Sequence, residues 1–91
     1  MKVVFLIDPH DNVVTATSNI KEGTTITIEE LSKKIRVKQA IPIGHKIAIK
    51  KIKKGEPIIK YGAPIGRAKK DIDEGEWVHT HNVEEVYKPP S

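Results

Sequence analysis

"IKKGEPI", residues 52–58, is one of four occurrences of a seven-residue pattern in a chain of 91 residues. The pattern is an isoleucine, two variable positions, a glycine, two more variable positions, and then isoleucine or valine. Its other copies are IKEGTTI (20–26), IPIGHKI (41–47) and IDEGEWV (72–78). In each copy the first isoleucine closes an apolar stretch and the glycine supplies the positive φ of a tight turn. The last apolar residue opens the next stretch. The copies begin 21, 11 and 20 residues apart, a spacing that describes short strands joined by turns and not a helical solenoid. Gly23, Gly44, Gly55 and Gly75 therefore read as folding residues before they read as ligand binders.

Between the turns lie runs rich in valine and isoleucine, as strands prefer. The expected strands are 2–7, 12–16, 35–38, 46–49, 57–61, 65–69 and 77–82. One short helix is expected over 28–34, where Thr27 and Glu30 have capping-box spacing and Ile28, Leu31 and Ile35 fall at i, i+3 and i+7. Pro42, Pro57 and Pro64 interrupt strand patterns and belong at edges or turns. The expected fold class is mostly β, with one domain over 1–86 and a tail at 87–91.

Composition narrows the function. Apolar residues make up 37% of the chain, with one Phe, one Trp and one Met, so the core is aliphatic and thin. A core of that size leaves little volume for a deep private cavity and suits a chain that supplies one wall of a shared site. With no cysteine there is no disulfide, thiolate metal site or thiol nucleophile. No apolar run approaches the roughly 20 residues of a membrane span. The opening MKVVFLIDPHDN is too short in apolar residues for a secretory core, so a cytoplasmic protein is expected. Charge is uneven. Residues 29–60 hold ten Lys/Arg against three Glu, net +7, and residues 71–88 hold six acids against one Lys, net −5. A solvated, lysine-rich surface or an anionic small-molecule substrate accounts for this split. Aromatics do not interleave the lysines, and no nucleic-acid recognition motif is present, so nucleic acid is not expected as a partner.

The densest chemistry is GEWVHTHNV (75–83). On a strand, His79 and His81 would share one face about 7 Å apart, with Thr80 turned away. Two imidazoles need further donors to hold a divalent ion, and His45, His10, Asp11 and Asn82 are the candidates. A hydrogen-bonded polar surface pair fits the same spacing. The PHDN turn (9–12) could present Asp11 and Asn12 to a substrate, or use them only to form the turn. GHK (44–46) and KYGAPIGR (60–67) set His45, Lys46, Lys60, Tyr61 and Arg67 beside glycine turns, whose N–H groups bind carboxylates and oxyanions. Neither a phosphate-binding loop nor a dinucleotide fingerprint is present.

Taken together, DN at 11–12, IPIGHKIAI at 41–49, GEPIIKYGAPIGRA at 55–68 and GEWVHTHNV at 75–83 resemble the N-terminal domain of the altronate and galactarate dehydratase family. In that family the same domain also serves as the small subunit of (2R)-sulfolactate sulfo-lyase. The resemblance runs from about residue 3 to 83. It implies the SAF domain, a β-clip-like fold, and a split lyase whose separately encoded large subunit completes the site. The implied chemistry is elimination of water or sulfite from an anionic acid, with a divalent metal, iron(II), stabilising the enediolate. The resemblance assigns His45, His79 and His81 as metal ligands or acid–base groups. By the same resemblance Asp11, Asn12 and Asn82 bind substrate, Lys46, Lys60 and Arg67 hold anionic groups, and Tyr61 is a reserve proton donor. The competing reading is a non-catalytic module that binds a carbohydrate or metal.

Overall fold

The computed structural model describes residues 3–84, and the expected 87–91 tail lies outside them. In chain order the elements are β1 (Val4–Phe5), β2 (Val13–Ala16), β3 (Thr25–Ile28), a 3-10 turn (Glu29–Leu31), β4 (Lys33–Arg36), β5 (Lys46–Ala48), β6 (Pro57–Lys60), β7 (Ala63–Ala68), β8 (Trp77–Val78) and β9 (Val83–Glu84). All strand pairs are antiparallel. They form a central sheet β1-β2-β5-β8, the hairpin β3-β4, and the sheet β6-β7-β9. The mostly-β, short-strand expectation holds. Among the described residues no helix is long and apolar enough to cross a membrane.

Side-chain alternation along the central sheet divides the interior in two. Val14, Ala16 and Ile47 face a core closed by Ile26, Ile28 and Ile35 of the β3-β4 hairpin. Their neighbours Val13, Ala48 and Val78 face a second core closed by Ile58 of β6 and Ala68 of β7. The repeat explains the division. Ile20, Ile26, Ile41 and Ile47, from the first two copies, all lie in the first core, and Ile52, Ile58, Ile72 and Val78, from the last two, all lie in the second. Each pair of copies is tied by a two-way bridge, Ile20 with Ile41 and Ile52 with Ile72. Burying each of these side chains contributes roughly 1.5–3 kcal/mol.

The four turns share one hydrogen-bond pattern. Each glycine donates its N–H to the carbonyl of a residue in a strand or just past its end, and that same residue donates back to the residue after the glycine. The partners are Val37, just past β4, for Gly23, and the strand residues Ala16 for Gly44, Ala68 for Gly55 and Ala48 for Gly75. All four glycines have positive φ.

Two expectations are corrected. The helix at 28–34 is a single 3-10 turn between two paired strands. Its N-cap is Ile28 with no side-chain cap hydrogen bond, so the Thr27–Glu30 capping box does not form. TITI alternates at the strand period, which buries Ile26 and Ile28 together with Ile35, whereas the helical stripe would have buried Leu31, which is exposed. The strand expected over 77–82 ends at Val78, and the chain then turns.

Candidate functional site

Asn82 is why the chain turns after Val78. It is fully buried, and its side chain spans the bend. Oδ1 accepts the His79 N–H at 2.9 Å, and Nδ2 donates to the Trp77 carbonyl at 2.8 Å. The Asn82 N–H also donates to the His79 carbonyl at 3.1 Å. These bonds divert the backbone from the sheet ladder, as asparagine side chains do at turns. Asn82 is thus a positioning residue and not the substrate contact expected of it. The shared strand face expected for His79 and His81 does not exist, and Thr80 is exposed.

The turn instead gathers the rings around Trp77. His79 stacks on the indole with centroids 5.3 Å apart and an interplanar angle of 11°. His81 lies 5.4 Å from the indole at 55°. His45, on the turn leading into β5, reaches the same group from the other side of the sequence, 4.8 Å from His79 and 5.4 Å from Trp77. The structure therefore brings together the three histidines that the sequence singled out. It does not make them a metal centre. Among the described residues no three His, Asp or Glu side chains converge on a common point, and the indole lies among the imidazoles. Moreover, His45 Nδ1 already accepts the Trp77 Nε1–H at 3.1 Å. An open metal site takes three protein ligands, so these residues do not fit iron(II) as a complete set.

Beside this ring cluster, Lys46, Ile65, His79, Thr80 and Val83 line an open cavity of about 250 Å³. Ile65 is the additional residue at a register shift between β6 and β7, where Ile58 pairs with Gly66 and Ile59 with Pro64. Such a bulge re-aims a side chain. Gly66 lets β9 pass close by, since a Cβ there would meet the Glu84 carbonyl oxygen and Val83 Cγ1 at 2.8 Å. Burial lowers the Lys46 pKa, and the neighbouring Lys60 charge lowers it further. Lys60 Nζ in turn sits 5.1 Å from the Tyr61 ring centroid. Lys46 is thus the cationic wall of the cavity, with the Lys60 charge near it, whereas Lys60, Tyr61 and Arg67 are not among the lining residues and Arg67 is exposed on β7.

A lysine whose folded pKa is lowered disfavours its own charge in the fold. Its contribution to stability therefore improves as pH rises through the window between its folded and unfolded pKa values. Lys46→Gln should remove that alkaline gain and leave the melting temperature at neutral pH unchanged or raised. The same substitution should weaken binding of a small carboxylate anion. Melting curves across pH and an anion titration measure both. A large loss of stability at neutral pH would contradict this account.

Asp11 and Asn12, expected to orient substrate, are buried and committed to backbone. Asp11 accepts N–H bonds from Asp8 (3.1 Å), Tyr61 (3.2 Å) and Gly62 (2.8 Å). Asn12 accepts from Ile59 N–H at 2.7 Å and donates to the Pro57 carbonyl at 2.9 Å. The glycine turn read as an anion binder does hold a carboxylate, but it is the protein's own. Residues 61 and 62 both have positive φ, 57° and 71°, an unfavourable conformation for a tyrosine, and the Asp11 carboxylate clamps it. Asp11→Ala leaves three backbone donors without that acceptor and should cost about 2–4 kcal/mol, with Asp11→Asn intermediate. Urea unfolding measures the loss. A substrate-orienting Asp11 would instead lose turnover at unchanged stability.

Trp77 was not legible as a site residue from residue type alone. Its one available signal was a lone tryptophan beside histidines, because a half-buried indole N–H usually finds a partner.

Comparison with known proteins places this geometry in a family. Residues 2–86 match the family described as the altronate/galactarate dehydratase SAF domain. The chain is similar to the altronate dehydratase of Bacillus subtilis, 43% identical over 83 residues, and to that of Escherichia coli, 42% identical over 73 residues. These alignments cover 91% and 80% of this chain but only 16% and 14% of the two dehydratases. It is also similar to the (2R)-sulfolactate sulfo-lyase subunit alpha of Chromohalobacter salexigens, 36% identical over 89 residues, covering 91% of this chain and 95% of that subunit. Because the match takes in every described element, from the four glycine turns to the histidine-bearing bend, the chain belongs to the altronate/galactarate dehydratase SAF-domain family.

Proposed function

We propose that this chain is the small subunit of a two-chain lyase acting on an anionic hydroxy acid. It would remove water from a sugar acid such as altronate or galactarate, or sulfite from sulfolactate. The observation that carries this reading is the near end-to-end correspondence with a protein named as a sulfo-lyase alpha subunit. The open form of the histidine cluster and its cavity supports it, because such a surface suits completion by another chain.

In the elimination, a base takes the proton from the carbon next to the carboxylate. The electron pair left behind forms the carbon–carbon double bond, and the substituent on the next carbon departs. Hydroxyl leaves with a proton as water, or sulfonate leaves as sulfite. The resulting enol tautomerises to a 2-keto acid. His79, at the cavity wall, would move the proton, and His81 would return one. The Lys46 ammonium, with Lys60 beside it, would hold the carboxylate as charge develops on its oxygens. Iron(II) would need most of its ligands from the large subunit.

The test is to co-express this chain with the lyase large subunit of its source and assay the pair on sugar acids and sulfolactate. The expected product is a 2-keto acid, with sulfite where sulfolactate is used. A stable complex without turnover on any of these acids, in a chain that binds them alone, would favour the non-catalytic module.

A further inference from the structure

The Trp77–His45 hydrogen bond carries a consequence for how the three histidines divide their work. An indole N–H can only donate. His45 Nδ1, 3.1 Å from it, must therefore present a lone pair, and the neutral ring then carries its proton on Nε2. No buried polar side-chain atom among the described residues lacks a partner. His45 Nε2 has no recorded protein partner among them, so this N–H opens to the outside. The ring that bears it lies against His79, which lines the cavity, and Lys46 follows it in the chain and lines the cavity too.

We propose that Trp77 is a positioning residue that locks His45 as an outward Nε2–H donor to a substrate oxygen. His45 on this account neither ligates a metal nor removes a proton, because both ring nitrogens are spoken for. That leaves His79 and His81, whose ring nitrogens make no hydrogen bond to described residues, as the two imidazoles with free lone pairs. The tautomer stands on geometry alone. The donor role rests on the lyase reading above, where a neutral donor beside a lysine would stabilise the charge that develops on a carboxylate oxygen.

The experiment begins with the full 15N-labelled chain at mildly alkaline pH, reading each imidazole by long-range proton–nitrogen correlation. His45 should show the pattern of a single tautomer protonated at Nε2. Trp77→Phe keeps an aromatic ring but removes the donor, and should turn this into a mixture of both tautomers. Adding zinc as the metal probe should leave the His45 nitrogens unmoved in the wild-type chain. A wild-type His45 protonated at Nδ1, or one whose ring nitrogen shifts to a zinc-bound position, would overturn the lock. The role is then read in the two-chain complex. Gln can place an amide donor near the Nε2 position, so His45→Gln should keep turnover within about tenfold, whereas losing a general base costs about 10²–10⁴-fold. A loss in that larger range would overturn the donor role. A wild-type complex without lyase turnover would reject the lyase reading and the donor role with it, and leave the tautomer result standing.

Discussion

Turnover of the proposed two-chain complex should fall at least about 100-fold when His79 and His81 are both replaced by alanine, the range expected for loss of acid–base groups. The chain's melting temperature should barely move. His81 is exposed and half-buried His79 packs its ring against Trp77, so neither side chain fills a core. The fold of the bend depends on Asn82 and on the backbone of residue 79, which alanine preserves. The two single variants should not be equal. His79 lines the cavity and touches both Trp77 and His45, whereas His81 reaches the group only through the indole, so His79→Ala should account for most of the loss. Wild-type turnover in the double variant would remove these histidines from the mechanism. A collapse in stability would show that they serve the fold instead.

Gly75→Ala should be the most damaging single substitution among the four repeat glycines. All four have positive φ, between 84° and 92°, so alanine at any of them incurs backbone strain of about 1–2 kcal/mol. At Gly75 a second cost is added. A Cβ there would land on the Arg36 carbonyl oxygen, which is backbone and cannot rotate away. Overpacking of this kind costs roughly 1–3 kcal/mol. The sum, about 2–5 kcal/mol, is a large share of the 5–15 kcal/mol that holds a typical domain together. Gly55 has the same φ range but nothing within 4 Å of its would-be Cβ, so Gly55→Ala is the matched control and should show the strain alone. Each kcal/mol moves the melting temperature of a domain this size by about 4–8 °C, which a thermal melt resolves easily. Equal losses at the two positions would mean that the close approach to Arg36 is unimportant.

This contrast shows what the repeat could reveal and what it could not. Four I-x-x-G-x-x-(I/V) strings announce four turns, because a glycine between two apolar residues has a local conformational reason to be there. They also announce which side chains are buried, and all eight apolar repeat positions are. The local pattern does not say that the copies bridge in pairs to make two cores, nor that one of four equivalent glycines passes under a carbonyl 39 residues earlier in the chain. The segment at 28–34 misled for a related reason. Ile28, Leu31 and Ile35 satisfy a helical period, but Ile26 and Ile28 satisfy a strand period as well, and long-range pairing of β3 with β4 settled the competition.

The site divides in the same way. Residue types alone pointed to His45, His79 and His81, and to Lys46 and Lys60, because few side chains can move protons or hold carboxylates at neutral pH. Residue types could not separate Asp11, Asn12 and Asn82 from that group. Each is a polar side chain next to chemistry, and only the fold shows that the backbone consumes all three. The sequence by itself determined a mostly-β domain, its turns and its buried aliphatic positions, and it singled out the histidines that the fold gathers. The tertiary structure decided which polar groups are scaffold and which are free, and how the histidines share an indole. The reason is physical: burial propensity and turn conformation are properties of short stretches of chain, whereas the partner of a buried polar atom is set by whatever distant backbone the fold brings within 3 Å of it.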